Sequence, residues 1–193
     1  MSKIRTFFAI DTPEPIRDRI LEVQTSLRER DSDVRWESRD KFHITLKFLG
    51  AVEEATLHGI LDKVANALAP VKTFRLDYQG LGCFPNTRYP RVIWLGCENR
   101  DGSLVHVQQT IEAIVEPFGY EKEKRPFHPH ITLGRVKGTG GIPELVRLMQ
   151  KTLFELQTTE CQEILAMKSD LRPTGSVYSV LRRIPLQTSV STS

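Results

Sequence analysis

The chain has 193 residues, 39% of them apolar and 26% charged, which suits a globular protein with one buried core or two similar lobes. Its 27 basic and 24 acidic residues leave a net charge of +3, too small to coat nucleic acid broadly yet compatible with one local anion site. The three cysteines, Cys83, Cys97 and Cys161, offer no CxxC pair, zinc spacing or disulfide framework, and neither a signal peptide nor a membrane-length apolar window occurs; a soluble, cytoplasmic protein is expected.

Ile4–Ile10 reads as a strand ended by Asp11. A helix follows, with Thr12 as cap, Pro13 at its first position, and Ile16, Ile20, Leu21, Val23 and Leu27 as its apolar stripe. "VRWES" and "KFHITLKFLG" read as two strands joined by a charged turn. A second helix carries Leu57, Ile60, Leu61, Val64 and Leu68 on one face. Strands are expected at Phe74–Gln79 and Arg91–Gly96, with "GLGCFPNTRYP" as a long loop between them. Then come a helix from about Gly102 to Phe118, a strand over the second motif, a helix in "IPELVRLMQKTLF", and closing strands at Glu163–Lys168 and Val177–Ile184. Residues 188–193 read as a disordered tail behind a single bilobal domain over 1–187.

The tetrapeptide His-Ile-Thr-Leu occurs at His43–Leu46 and again at His130–Leu133, although the chain has only five histidines. Side chains two apart in a strand share a face. Phe42, Ile44, Leu46 and Phe48 are therefore expected on an apolar face, and His43, Thr45 and Lys47 on the other. The second copy sets Ile131 and Leu133 against His128, His130 and Thr132. An imidazole gives or takes a proton near neutral pH, and a threonine hydroxyl beside it donates to an anionic oxygen. Two such units across a groove suit in-line displacement at phosphorus: a base for the attacker, an acid for the leaving oxygen, and donors for the oxygens between. The shared element order also points to an internal β/α repeat.

These residues, with "RTFFAID", "VRWES", "FPNTRYPRVIWLG" and "SVYSVL", resemble the RNA 2′,3′-cyclic phosphodiesterases of the two-histidine phosphoesterase superfamily, also described as 2′-5′ RNA ligases. The resemblance runs from about Arg5 to Leu186. It implies an α+β fold of two pseudo-symmetric lobes, each an antiparallel sheet with outer helices, around a central cleft. It further implies His43 as proton donor, His130 as proton acceptor, Thr45 and Thr132 on the phosphate, and hydrolysis of a terminal cyclic phosphate to a 2′-phosphomonoester. No metal and no cofactor are implied; the partner is RNA or an oligonucleotide with a 2′,3′-cyclic phosphate end, with no membrane and no obligate protein partner. Arg135 matches a basic residue usual in the family, but strand parity sets it opposite to His130 unless the strand bends at Gly134.

Phe7, Arg88 and Arg91 are further candidates for substrate contact, and Lys122, Lys124 and Arg125 for a basic rim. Core packing is the plainer expectation for Phe7, Phe8, Trp36 and Trp94, and exposed helix positions for His58 and His106. His-Pro-His at His128–His130 suggests a metal pair, but no acidic or cysteine partner has matching spacing. Two other functions share these motifs: joining of 2′-5′ ends by the reverse reaction, and a non-catalytic RNA-end binding module.

Overall fold

The computed structural model describes residues 2–173 and 175–188, so nearly all of the expected tail lies outside the described residues. In chain order the elements are β1 (Lys3–Asp11), α1 (Glu14–Arg28), β2 (Val34–Trp36), β3 (His43–Glu53), α2 (Glu54–Leu68), β4 (Phe74–Phe84), β5 (Val92–Glu98), α3 (Ser103–Val115), β6 (His130–Val136), α4 (Ile142–Lys151), β7 (Gln157–Cys161), β8 (Glu163–Arg172) and β9 (Gly175–Pro185). All named strands pair antiparallel in one sheet of order β7-β4-β5-β6-β3-β1-β8-β9, with β2 added on β6.

This order contains a pseudo-two-fold between β3 and β6. Reading outward, β3-β1-β8-β9 mirrors β6-β5-β4-β7. The chain does not build the halves one after the other, however. β4 follows β1 and β3 in sequence yet pairs with β5, and β8 follows β5 and β6 yet pairs with β1. Each half thus borrows its third strand from the other repeat, which ties the two into one core running from Phe8 and Ile44 to Ile131 and Ile164.

Several boundaries differ from expectation. α1 begins after Pro13, whose fixed φ suits a helix start, and Thr12 makes no cap; its hydroxyl is buried with no hydrogen-bond partner among the described residues. β4 continues through Gly80 to Phe84, because Gly80 adopts a positive φ of 73° at an irregularity that restores pairing from Leu81; the loop is only Pro85–Arg91. β2 pairs with β6, not with neighbouring β3. The short β7 has no counterpart in the expected strands.

Two bulges decide what faces the site. In β3, Lys47 pairs with Phe8 and Thr45 with Ala9, so Leu46 is skipped. In β6, Gly134 pairs with Ile93 and Thr132 with Trp94, so Leu133 is skipped. The same leucine of both tetrapeptides is bulged, and the extra residue inverts the alternation beyond it. Lys47, expected beside His43, is instead buried at 3% exposure, and Phe48 is turned outward at 42%. Gly134 permits the second bulge, since a Cβ there would lie 2.7 Å from Val34 Cγ1 of β2.

Burying Lys47 requires partners. Its Nζ donates to Glu112 Oε1 at 3.0 Å and to the Glu121 carbonyl at 2.6 Å, and Glu112 Oε1 also accepts the Glu123 backbone N–H at 3.1 Å. Lys47→Ala strands the Glu112 carboxylate and is expected to cost about 3–5 kcal/mol in a urea unfolding curve, while Lys47→Met with Glu112→Leu recovers much of that loss. A single-variant loss under about 1 kcal/mol would mean the pair behaves as a surface ion pair.

Candidate active site

β3 and β6 meet through one pair, Ile44 opposite Ile131, both fully buried. Continuing that antiparallel register by one residue each way sets His43 opposite Thr132 and Thr45 opposite His130. All four side chains then project from the face opposite the isoleucines. Directly opposed Cβ atoms in such a pair are about 4.5–5.5 Å apart and diagonal neighbours about 7–8 Å. The two imidazoles occupy a diagonal, with the two hydroxyls on the other. Neither threonine hydroxyl has a hydrogen-bond partner among the described residues, leaving both free to donate to an oxyanion.

His130 Nδ1 is 2.7 Å from the carbonyl oxygen of His128, two residues earlier. A carbonyl accepts only from a protonated nitrogen, so Nδ1 of neutral His130 carries the proton and Nε2 keeps its lone pair. Burial pushes the His43 pKa down to about 4, partly offset by the Lys41 backbone and by Asp11 and Glu37, with Arg17 pushing it down. Burial also lowers His130, partly offset by its hydrogen bond to the His128 carbonyl, with His128 and Arg135 adding to the lowering.

His43 and His130 line adjoining cavities. A polar one of about 280 Å³ is bounded by Arg5, Phe7, Arg35, Glu37, Lys41, His43, Phe48, Arg135, Ser169, Ser176 and Tyr178. The other, of about 790 Å³, has Thr45, His130 and His128 with an apolar wall of Phe48, Phe84, Pro85, Pro126 and Phe127, and carries Arg91 and Arg125. Phe48 borders both. Phe7 and Tyr178 pack on His43 with ring centroids 5.0 and 5.3 Å away, and Phe84 packs on His130 at 5.0 Å.

The bulge at Leu133 corrects the parity reading of Arg135. The residue comes round to the cavity of His43, where its Nε donates to Glu37 Oε1 at 3.1 Å. Arg135 stands at the same distance beyond its histidine as Phe48 does in the first motif, and the two bulges bring both onto the histidine face. Phe7 is 2% exposed and serves packing and cavity wall together, whereas Phe8 and its neighbours fill the core. Arg91 lines the larger cavity; Arg88 is exposed, lies over the Tyr89 ring and borders neither cavity. Of the basic run, Arg125 reaches the cavity and Lys122 pairs with Glu116. His128 packs against Trp94 at 4.8 Å, and among the described residues no three His, Cys, Asp or Glu side chains gather to hold a metal ion. His58 and His106 are exposed on helices, and all three cysteines are buried free thiols. Arg5, Arg35, Glu37, Phe84 and Tyr178 lie in stretches that carry the family resemblance, but like Lys41 and Phe127 they are brought to the site only by the fold.

A family model described as LigT like Phosphoesterase matches the chain twice, over residues 10–94 and 95–178. The chain belongs to that family. The double match divides it where the two repeats meet, with one His-Ile-Thr-Leu in each. A protein of Methanothermobacter thermautotrophicus named RNA 2′,3′-cyclic phosphodiesterase is 34% identical over 178 residues, 92% of this chain and 96% of its own. One of the same name from Methanocaldococcus jannaschii is 34% identical over 93% of this chain and 99% of its own. A crystal structure of a Thermus thermophilus protein superposes with a TM-score of 0.80 at 26% identity, covering 97% of this chain and all of that one (100%). Escherichia coli LigT, crystallised with 3′-AMP, gives 0.76 at 25% identity over 96% and 99% of the two chains.

A His43 that stays neutral in the fold, while the unfolded chain takes a proton near 6.5, destabilises the fold in acid. Stability is expected to be full above pH 6.5 and to fall as pH drops from there through about 4. The check is a series of denaturation midpoints from about pH 7 down to about pH 4. His43→Gln should flatten the curve there; an unchanged slope would contradict the assignment.

Proposed function

We propose that this LigT-like phosphoesterase hydrolyses the 2′,3′-cyclic phosphate at an RNA end to a 2′-phosphomonoester by paired histidine acid–base catalysis. The observation that carries the reading is the crossed antiparallel pairing of two His-x-Thr units around Ile44 and Ile131. The names of the relatives support the substrate, and the free threonine hydroxyls and Arg135 suit the phosphate oxygens. In this mechanism water attacks phosphorus in line with O3′. The new bond is water oxygen to phosphorus, and the bond from phosphorus to O3′ breaks. Nε2 of His130 takes the water proton, and His43 delivers its proton to O3′.

Asp11 and Glu37 favour a proton on His43 while Arg17 and burial oppose it, and His130 is lowered by burial, His128 and Arg135 against its hydrogen bond to the His128 carbonyl. Which ring gives the proton and which takes it follows the family resemblance. Burial lowers both, and an anionic phosphate between them reverses that effect in part. The larger cavity, with Phe84 and Phe127, suits the terminal base and ribose. Three buried thiols suit a reducing cytosol.

The test is a short RNA with a 2′,3′-cyclic phosphate end, incubated with and without EDTA and analysed for monoester. Conversion to the 2′-phosphate in EDTA is expected. Binding without conversion would support an end-binding module, and loss of conversion in EDTA would overturn the metal-free mechanism. His43→Ala and His130→Ala should each lower turnover by at least about 10²–10⁴-fold with the thermal melt retained. Because both free-protein pKa values are lowered, the bell of kcat/KM against pH should be centred below about 6.5. A centre above neutrality would contradict these roles.

A further inference from the structure

We propose that the polar cavity beside His43 is a subsite for the phosphate on the 5′ carbon of the terminal nucleotide, the group that links it to the rest of an RNA strand. The inference rests on the phosphodiesterase reading and adds where the strand runs.

The cavity is cationic beyond what the fold neutralises. Arg5, Arg35, Lys41 and Arg135 border it, against the single carboxylate of Glu37. That carboxylate is already engaged, by Arg135 at 3.1 Å and by Lys41 at 3.9 Å. Arg35 has no ion pair or hydrogen bond from its side chain among the described residues, and Arg5 has only the Phe48 ring, 4.5 Å from its guanidinium carbon. Arginine elsewhere in the protein is often tied to a carboxylate, as Arg17 is to Asp11 and Arg182 to Asp62. Ser169, Ser176 and Tyr178 add hydroxyls to the same walls. Two uncommitted guanidinium forks with hydroxyls in a space of about 280 Å³ match a phosphate ester far better than a base, which has the apolar cavity across Phe48.

The covalent structure of ribose makes the two cavities compatible with one nucleotide. The cyclic phosphate bridges O2′ and O3′ on one face of the sugar. The base leaves C1′, beside C2′, and the 5′ carbon leaves C4′, beside C3′. With phosphorus between the threonines, base and 5′ phosphate therefore diverge to opposite sides. If the base occupies the cavity of His130, the 5′ phosphate and O3′ both lie toward His43. The residue that protonates O3′ is then the one beside the cationic cavity, and the monoester remains on O2′. Strand direction and the position of the product phosphate have a common origin.

The experiment compares kcat/KM on adenosine 2′,3′-cyclic phosphate, on the same compound carrying a 5′-phosphate, and on a diadenosine ending in the cyclic phosphate. Both compounds with a 5′ phosphate are expected to exceed the first by about 10–100-fold, the range for charge-assisted hydrogen bonds, and chiefly through KM. Arg35→Gln, and independently Arg5→Gln, should shrink that ratio toward one. A ratio near one in the wild type overturns the subsite, as does a gain with the diadenosine alone or a gain that survives in both variants. Turnover of none of the three compounds by the wild type overturns the phosphodiesterase reading, and this inference with it; turnover of all three at equal rates leaves that reading standing and removes only the subsite.

Discussion

Ile44 and Ile131 face each other across the seam between β3 and β6, the only register pair joining those strands among the described residues. Their burial fixes the faces of both strands, because a slip of one residue would exchange every side chain between core and surface. With the isoleucines inward, each histidine must stand opposite the threonine of the other motif. The crossed arrangement of two histidines and two threonines is thus a by-product of core packing at a pseudo-two-fold axis. The swapped third strands make this seam hard to open, since β4 and β8 each belong in sequence to one half and in space to the other.

Symmetry of the backbone coexists with asymmetry of the surroundings. The motif histidines share a bulged leucine three residues later. Beyond the bulges the halves diverge: Phe48 stands where the second half has Arg135, and Tyr178 covers His43 where Phe84 covers His130. Different charged neighbours and different cavities make the two imidazoles inequivalent.

Much of this was legible in the sequence because it is local and periodic. The four helices, the motif strands as far as Leu46 and Leu133, and the repeat all follow from apolar spacing and the duplicated tetrapeptide. What was not legible depends on pairing. A bulge is set by the partner strand, so period-two alternation placed Lys47 on the site face and Arg135 off it, and both were reversed. β2 pairs with a strand about a hundred residues away, which nothing in "VRWES" signals. The cationic cavity draws Arg5, Arg35, Lys41 and Arg135 from four separate segments, and each alone reads as a solvated charge.

Contact of both imidazoles with one phosphate is the central claim. The most direct measurement is a titration with adenosine 2′-monophosphate followed by the side-chain nitrogen resonances of histidine, assigned with His43→Gln and His130→Gln. Nε2 of both rings is predicted to shift along a single saturation curve with one dissociation constant and one ligand per chain. A response from only one ring, or two rings saturating independently, would contradict it.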